Sequence, residues 1–467
     1  MLPGEPVALH ASGRGGAVDI EVVRDGLRPE VVWRAAGVRV LDVPLADDSP
    51  ERGCGWDVTT IIPTDATWPS GLYVVRLGAA DRPSAWFVIR SPQPSADRVL
   101  LVLSTNTWNA YNDFGGRNLY TGAVVLSFER PLAAGLLAKP TGAGERVIEG
   151  RAYAEYTRVN ELSLWHGMSG WAGQERRFAL WAEAEGIALD YAINSDLEQA
   201  PSLLDGYAVY ISVGHDEYWT WGMRDAVEAF GAAGGRAAFL SGNTCYWQVR
   251  LEGHTMVCYK HRFVEDPVHG SGDTHLTTTI WSDPLTKRPE ATMTGLSFTR
   301  GGYAHIARSV PRGSGGYEIH RPGHWLLAGT RLQRGDILGA PDVIVGYECD
   351  GCDLALVDGL PVATGAGGTP STYEVVASAP ATPFDRHTTP LPLAPGGDYE
   401  LEFHARRLLG DDSAANCERL RHGHAVLGTY TRGGTVVSVG CTEWAYGLGD
   451  PVVAQITRNI LGRAGTG

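Results

Sequence analysis

The 467-residue chain is 43% hydrophobic and 20% charged, an ordinary balance for a globular protein of two or three domains. Lys+Arg 39 against Asp+Glu 53 leaves a net charge of −14, which argues against nucleic acid or anionic lipid as a partner. The longest apolar runs, such as Val99–Leu103, are too short for a membrane span, and the N-terminal residues show no basic-then-apolar leader. Seven scattered cysteines, an odd number, disfavour a disulfide framework and point to a reduced, cytoplasmic setting.

Residues 1–92 read as a small immunoglobulin-like β-sandwich, with strands at 18–26, 71–79 and 85–91 and no amphipathic helix between them. The segment 91–97, with Pro92 and Pro94, reads as a linker. From 98 to 467 the pattern becomes α/β. The continuous apolar run 98–105 suits a buried parallel strand. Phe178, Trp181 and Ala184 predict a helix over 174–186, stopped by Gly186, and strands follow at 187–194 and 207–214. A helix over 220–235 capped by Thr220 leads into a strand at 236–242. Residues 250–340, rich in Gly, Thr and His, read as an irregular insertion or lid. Further strands are predicted at 343–350, 371–379 and 398–408, then a hairpin at 424–440 and a closing helix at 450–463. Such alternation indicates a parallel sheet with helices on its faces and β additions.

Ligands of an open parallel sheet bind past the carboxyl ends of its strands. Four such ends carry polar groups: 106–122, 214–221, 242–247 and 347–352. His215 and Glu217, two apart in an extended segment, point the same way. They suit a metal ligand and an acid–base or oxyanion group, or else a solvated loop before the next helix. Tyr111 and Tyr120 share one loop and are either packed aromatics or, with Glu217, a hard oxygen site that favours ferric iron over zinc. Glu348 is a second carboxylate, a general base or an exposed edge residue. Cys349 and Cys352 form half a zinc knuckle or flank a tight Asp350-Gly351 turn, and His422 and His424 read as structural. No G-x-S-x-G elbow is present. Cys245 with His215 offers a metal-free C–N hydrolase mechanism, although Tyr246 and Trp247 favour a packed thiol. A non-catalytic carbohydrate- or peptide-binding protein is the remaining alternative, and it needs no convergence of six polar residues.

Together, TNTWNAYND (105–113), LSFERP (126–131), GHDEYWTW (214–221), SGNTCYW (241–247), GYECD (346–350) and the stretch 428–448 resemble the catalytic subunit family of N,N-dimethylformamidase, from about residue 98 onward. The resemblance implies a glutamine-amidotransferase-like (flavodoxin-like) core and hydrolysis of a small amide, such as an N-substituted formamide. It implies a mononuclear non-haem Fe(III) held by Tyr111, Tyr120 and Glu217, with His215, Asn243 and Glu348 as active-site neighbours. In that scheme Fe(III) is a Lewis acid, Glu348 moves the proton, and His215 and Asn243 position substrate and stabilise the oxyanion. The loop between the tyrosines is short here, which leaves Tyr153 as the alternative to Tyr120. A small partner subunit and a homo-oligomer are left open.

Overall fold

The computed structural model describes residues 1–78, 83, 85–306, 313–390 and 399–462. The ends of three predicted elements, at residues 79, 398 and 463, lie outside the described residues, as does 307–312 within the expected lid.

The N-terminal strands form a four-stranded antiparallel sheet in the order Glu30–Val40, Gly16–Arg24, Gly71–Leu77 and Ala85–Ile89, beside a two-stranded pair of Val7–His10 with Val58–Ile62. Strand alternation sends successive side chains to opposite faces. Ile20, Val22, Tyr73, Phe87 and Ile89 pack with Leu9 and Ile62. Val23, Leu72, Val74 and Val88 instead join the core of the rest of the chain, where Trp86 meets the edge of Trp108 at 5.0 Å. Gly16–Arg24, Gly71–Leu77 and Ala85–Ile89 therefore contribute to a core on both faces, whereas Glu30–Val40 stays largely exposed. At about 1.5–3 kcal/mol per side chain, the second face alone contributes on the order of 6–12 kcal/mol of apolar burial, an upper estimate. Asp25 strengthens the seam by accepting from Trp171 Nε1 at 2.7 Å and pairing with Arg176 at 2.8 Å.

The main sheet has nine strands. Five run parallel, in the order Gly434–Ser438, Arg236–Gly242, Val209–His215, Val99–Leu103 and Leu189–Ile193. Four antiparallel strands continue it from Gly434–Ser438: Gly423–Arg432, Glu374–Ala381, Tyr317–Ile319 and Ile337–Leu338. Every residue of Val99–Leu103 is buried because both faces are covered. Val99, Leu101 and Leu103 pack with Phe178, Ala179 and Ala182 of the helix Gln174–Ala184, and Leu100 and Val102 with Met223, Val227 and Phe230 of the helix Trp221–Ala232. Thr220 caps the latter, its hydroxyl accepting from Met223 N at 3.2 Å. The strand at 189–193 adds on one side of Val99–Leu103 and the strand at 209–215 on the other. That reversal is a topological switch point, where a crevice opens past the strand ends.

Four sequence expectations need correction. The stretch after Leu103 starts not as a loop but as a helix, Thr105–Tyr111. The predicted strand at 398–408 is the helix Glu400–Leu409, and a further helix, Ala414–Arg421, follows it. Tyr399, Leu401 and Phe403 mimic a two-residue period, whereas Leu401 through Ala405 are all buried because the helix is embedded on several sides. At 343–350 only Glu348–Gly351 is a strand, and it pairs antiparallel with Ser297–Tyr303 outside the main sheet. Residues 250–340 are also more than a cover, since they supply the two outermost strands at one end of the main sheet and that partner of Glu348–Gly351. Among the described residues no helix is long and apolar enough to cross a membrane.

Candidate active site

Each site residue is placed by a local feature of its segment. Glu175 anchors the start of the helix Thr105–Tyr111, accepting from Ser104 N and from Trp108 Nε1, both at 2.7 Å. Tyr111 closes that helix. Asn118 then folds the chain back, donating to Tyr111 O at 3.1 Å while its side-chain oxygen accepts from Tyr120 N at 2.9 Å. The Tyr120 ring thereby returns to within 4.6 Å of the Tyr111 ring, centroid to centroid.

On the next strand, Gly214 adopts φ 82°, and a Cβ there would sit 2.6 Å from Gln174 Cβ. Only glycine lets the strand end pass the helix. The chain then presents His215 and Glu217, and Thr107 Oγ1 takes the Glu217 N–H at 2.9 Å. Asn243 follows the third strand in a left-handed conformation, φ 50°. Glu348 comes from the short outer strand, where its carbonyl accepts from Thr442 N at 3.1 Å.

These segments bring all six predicted residues together. Tyr111 Oη donates to Glu217 Oε2 at 3.0 Å. Tyr120 Oη lies 2.6 Å from Tyr111 Oη and 3.1 and 3.2 Å from the two Glu217 oxygens. His215 Nε2 stands 3.2 Å from Glu217 and 2.7 Å from Glu348, and its Nδ1 is held 2.8 Å from Met168 O. Asn243 Nδ2 is 3.5 Å from His215 Nε2. His215, Glu217, Asn243 and Glu348 are all buried, so neither Glu217 nor Glu348 is the exposed residue that a plain loop or sheet edge would give.

Burial and mutual charge set the protonation of the cluster. Burial drives the Tyr111 phenol well above its usual range, and Glu217 and then Tyr120 add to it. Tyr120 is raised likewise, by burial and then Glu217. For His215 burial opposes the charged ring, but Glu348 and Glu217 outweigh it and raise the imidazole well above its ordinary value. Glu217 is lowered: burial works against its charge, and His215 followed by Lys260 overcome it. The cluster thus concentrates oxygen donors in a water-poor site.

The residues missed in the sequence surround this cluster. Lys260 Nζ donates to Tyr218 Oη at 3.0 Å and lies 3.4 Å from the Tyr120 ring centroid. Tyr218 Oη in turn donates to Tyr120 Oη at 2.9 Å. The chain has three lysines, Lys139, Lys260 and Lys287. That scarcity was the available signal for Lys260. Glu400, hidden by the misread helix, also faces the cavity.

The competing residues are placed elsewhere. Tyr153 Oη donates to Leu164 O at 2.5 Å and accepts from Gly167 N at 3.1 Å, bonds that occupy its hydroxyl outside the cluster. Cys245 is sunk among Trp219, Met223, Phe239 and Trp281. Burial pushes its thiol well above the usual range, the opposite of an activated nucleophile. Cys349 faces Cys441 across an antiparallel bridge, and Cys352 packs in an apolar cluster. All seven cysteines are free. His422 pairs with Glu418 at 3.2 Å on the surface. Among the described residues no group of three His, Cys, Asp or Glu side chains is set to hold a metal, so a metal site here depends on tyrosine oxygens. Tyr111, Tyr120 and Glu217 fit such a site. Their hard oxygens converge within hydrogen-bond distance, and the adjacent Asn243 Oδ1 is buried without a hydrogen-bond partner.

A cavity of about 380 Å³ opens over the cluster, with Tyr111, Tyr120, Glu217, Asn243 and Glu348 on its wall. His215 stands behind that wall, against both carboxylates.

Fold and site together define an α/β protein with a buried tyrosine–carboxylate centre at the switch point of its parallel strands. The chain belongs to the N,N-dimethylformamidase beta subunit-like, C-terminal family, whose model matches residues 19–458. The match begins inside the N-terminal sheet, well before the residue 98 at which the motifs place its start. An N,N-dimethylformamidase beta subunit of Alcaligenes sp is 29% identical over 199 residues, 38% of this chain and 24% of that protein. One from Paracoccus aminophilus is 40% identical over 72 residues, 15% of this chain and 9% of that protein. The matched regions thus span less than a quarter of either relative's length.

Proposed function

We propose that this chain is an iron-dependent amide hydrolase that cleaves the C–N bond of an uncharged amide with water. The observation that carries the reading is the convergence of Tyr111, Tyr120 and Glu217 oxygens within 2.6–3.2 Å of one another beside a second carboxylate, Glu348. Family membership supports it, and so do the relatives' names.

Tyr111, Tyr120 and Glu217 would hold the iron, whose Lewis acidity polarises an amide carbonyl and acidifies water. Glu348 accepts a proton from water and returns it to the departing amine. Asn243 Nδ2 is placed to donate to the carbonyl oxygen as charge builds there. His215 is a positioning residue: Met168 O fixes its ring, and its imidazolium orients Glu217 and Glu348. This role differs from the substrate contact expected from the sequence, and it is supported by the place of His215 behind Glu217 and Glu348. The desolvated walls strengthen each of these interactions.

The switch point at Val99–Leu103 supports a glutamine-amidotransferase-like core, and the paired N-terminal sheets support an immunoglobulin-like sandwich. The relatives are named as beta subunits, which supports assembly of this chain with a further subunit.

The test is metal analysis with a visible spectrum. Near-stoichiometric iron with a tyrosinate-to-Fe(III) charge-transfer band, lost in Tyr111→Phe, is expected, and Glu217→Ala should lose the iron. Colourless protein after iron reconstitution, or a fully iron-loaded Glu217→Ala, would refute the ligand assignment.

A further inference from the structure

The cavity is too large for the smallest amides. A five-heavy-atom amide such as N,N-dimethylformamide fills roughly 130 Å³, taking about 25–30 Å³ per heavy atom from the liquid volume of water. That is about a third of the 380 Å³ present. Pockets of roughly 300–1,000 Å³ are those that enclose ligands of larger size. A loosely filled pocket forfeits dispersion contacts and holds its carbonyl poorly over the reacting groups.

The walls beyond the reacting cluster are aromatic. Tyr246, Trp247, Tyr303, Tyr347 and Phe384 line the space. They are locked by mutual packing, Tyr303 against Phe384 at 4.1 Å and Tyr246 against Trp247 at 4.8 Å. Rigid rings of this kind accept another ring in offset or edge contact. Charge disfavours an ionic ligand of either sign: an anion would face Glu217 and Glu348, and a cation would face Lys260 and Arg262. Glu400 accepts from Tyr303 Oη at 3.2 Å, and burial followed by Glu348's charge pushes it up to about 8. It is therefore mostly an uncharged carboxyl near neutral pH.

Resting on the hydrolase reading above, we infer that the preferred substrate is an uncharged amide bearing one aromatic ring, of about nine to twelve heavy atoms, the ring lying among Tyr246, Trp247, Tyr303 and Phe384. The carbonyl carbon gains the water oxygen and loses the nitrogen. One water proton goes to the departing arylamine and the other leaves with the carboxylic acid. No electron is transferred and no co-reactant is consumed.

The experiment compares formanilide with N,N-dimethylformamide on the full-length, iron-reconstituted protein, measuring amine release and, separately, calorimetric binding. A kcat/KM for formanilide at least tenfold higher is expected. Ala123 lines the same cavity, and Ala123→Phe should lower the formanilide-to-dimethylformamide ratio at least tenfold. A preference for dimethylformamide would overturn the inference and leave the hydrolase reading standing. Formanilide binding at least tenfold tighter without turnover of either amide would uphold the ring site and overturn the hydrolase reading. Neither binding nor turnover of formanilide would overturn the inference, and turnover of dimethylformamide alone would then still preserve the hydrolase reading.

Discussion

Glu348→Gln isolates the proton-transfer step. Its backbone is fixed independently of its side chain: the carbonyl accepts from Thr442 N at 3.1 Å, and the strand pairs in register with Tyr303. Glutamine conserves the volume and the polar reach, so the wall should stay in place. The variant loses the carboxylate's basicity and its 2.7 Å ion pair with His215. A positioned general base contributes about 10²–10⁴ in rate, which is about 3–5.5 kcal/mol of barrier. We expect kcat to fall by that factor, with iron content and charge-transfer band retained, because Tyr111, Tyr120 and Glu217 are untouched. His215 should also titrate lower, since Glu348 is the largest charge raising it. Amine release at saturating substrate, metal analysis and the visible spectrum on one preparation check all three. A kcat within tenfold of the unsubstituted protein across pH 5–9 would refute the role of Glu348. Loss of iron would instead place Glu348 among the ligands.

Two further expectations follow from hydrogen bonding and burial. Tyr153→Phe should keep iron and band and lose roughly 2–4 kcal/mol of stability, because Leu164 O and Gly167 N are both left without their partner. Tyr120→Phe should lose the band, and the reverse pattern would make Tyr153 the ligand. Asp350 is buried with Oδ1 unpartnered, and burial lifts it from 3.8 to about 7. The native state therefore holds this proton to higher pH than the unfolded chain. Stability falls as pH rises from about 4 to about 7, by roughly 1.4 kcal/mol per unit from this group. Asp350→Asn should flatten the slope by that amount in denaturant titrations, and parallel pH profiles for both proteins would disprove it.

What could be read from the chain was whatever depends on local periodicity. The strand Arg236–Gly242 and the helix capped by Thr220 follow from apolar runs and capping chemistry, because their partners cover them as those patterns require. Tyr111, Tyr120 and Glu217 come together because strand ends of a parallel sheet share one edge. Glu348 reaches the same place from a strand outside the main sheet, which the strand-end rule does not cover. The helix Glu400–Leu409 was misread because burial on several sides erases the one-sided stripe that marks a surface helix. Lys260 was overlooked because a lone cation gains meaning only from the rings folded around it.

Gly242 has one further consequence. A Cβ there would lie 2.5 Å from Glu348 O and 2.6 Å from Thr442 N, so three stretches far apart in the chain meet backbone to backbone at one point. Tyr111, Tyr120 and Glu217 come from segments before residue 260, whereas the Glu348 carbonyl finds its partner only once Thr442 has been made. During synthesis from the N-terminus, the segments that carry Tyr111, Tyr120 and Glu217 therefore emerge well before those that carry Glu348 and Thr442. The cluster is closed only when Thr442 arrives to hold the backbone of Glu348 in place.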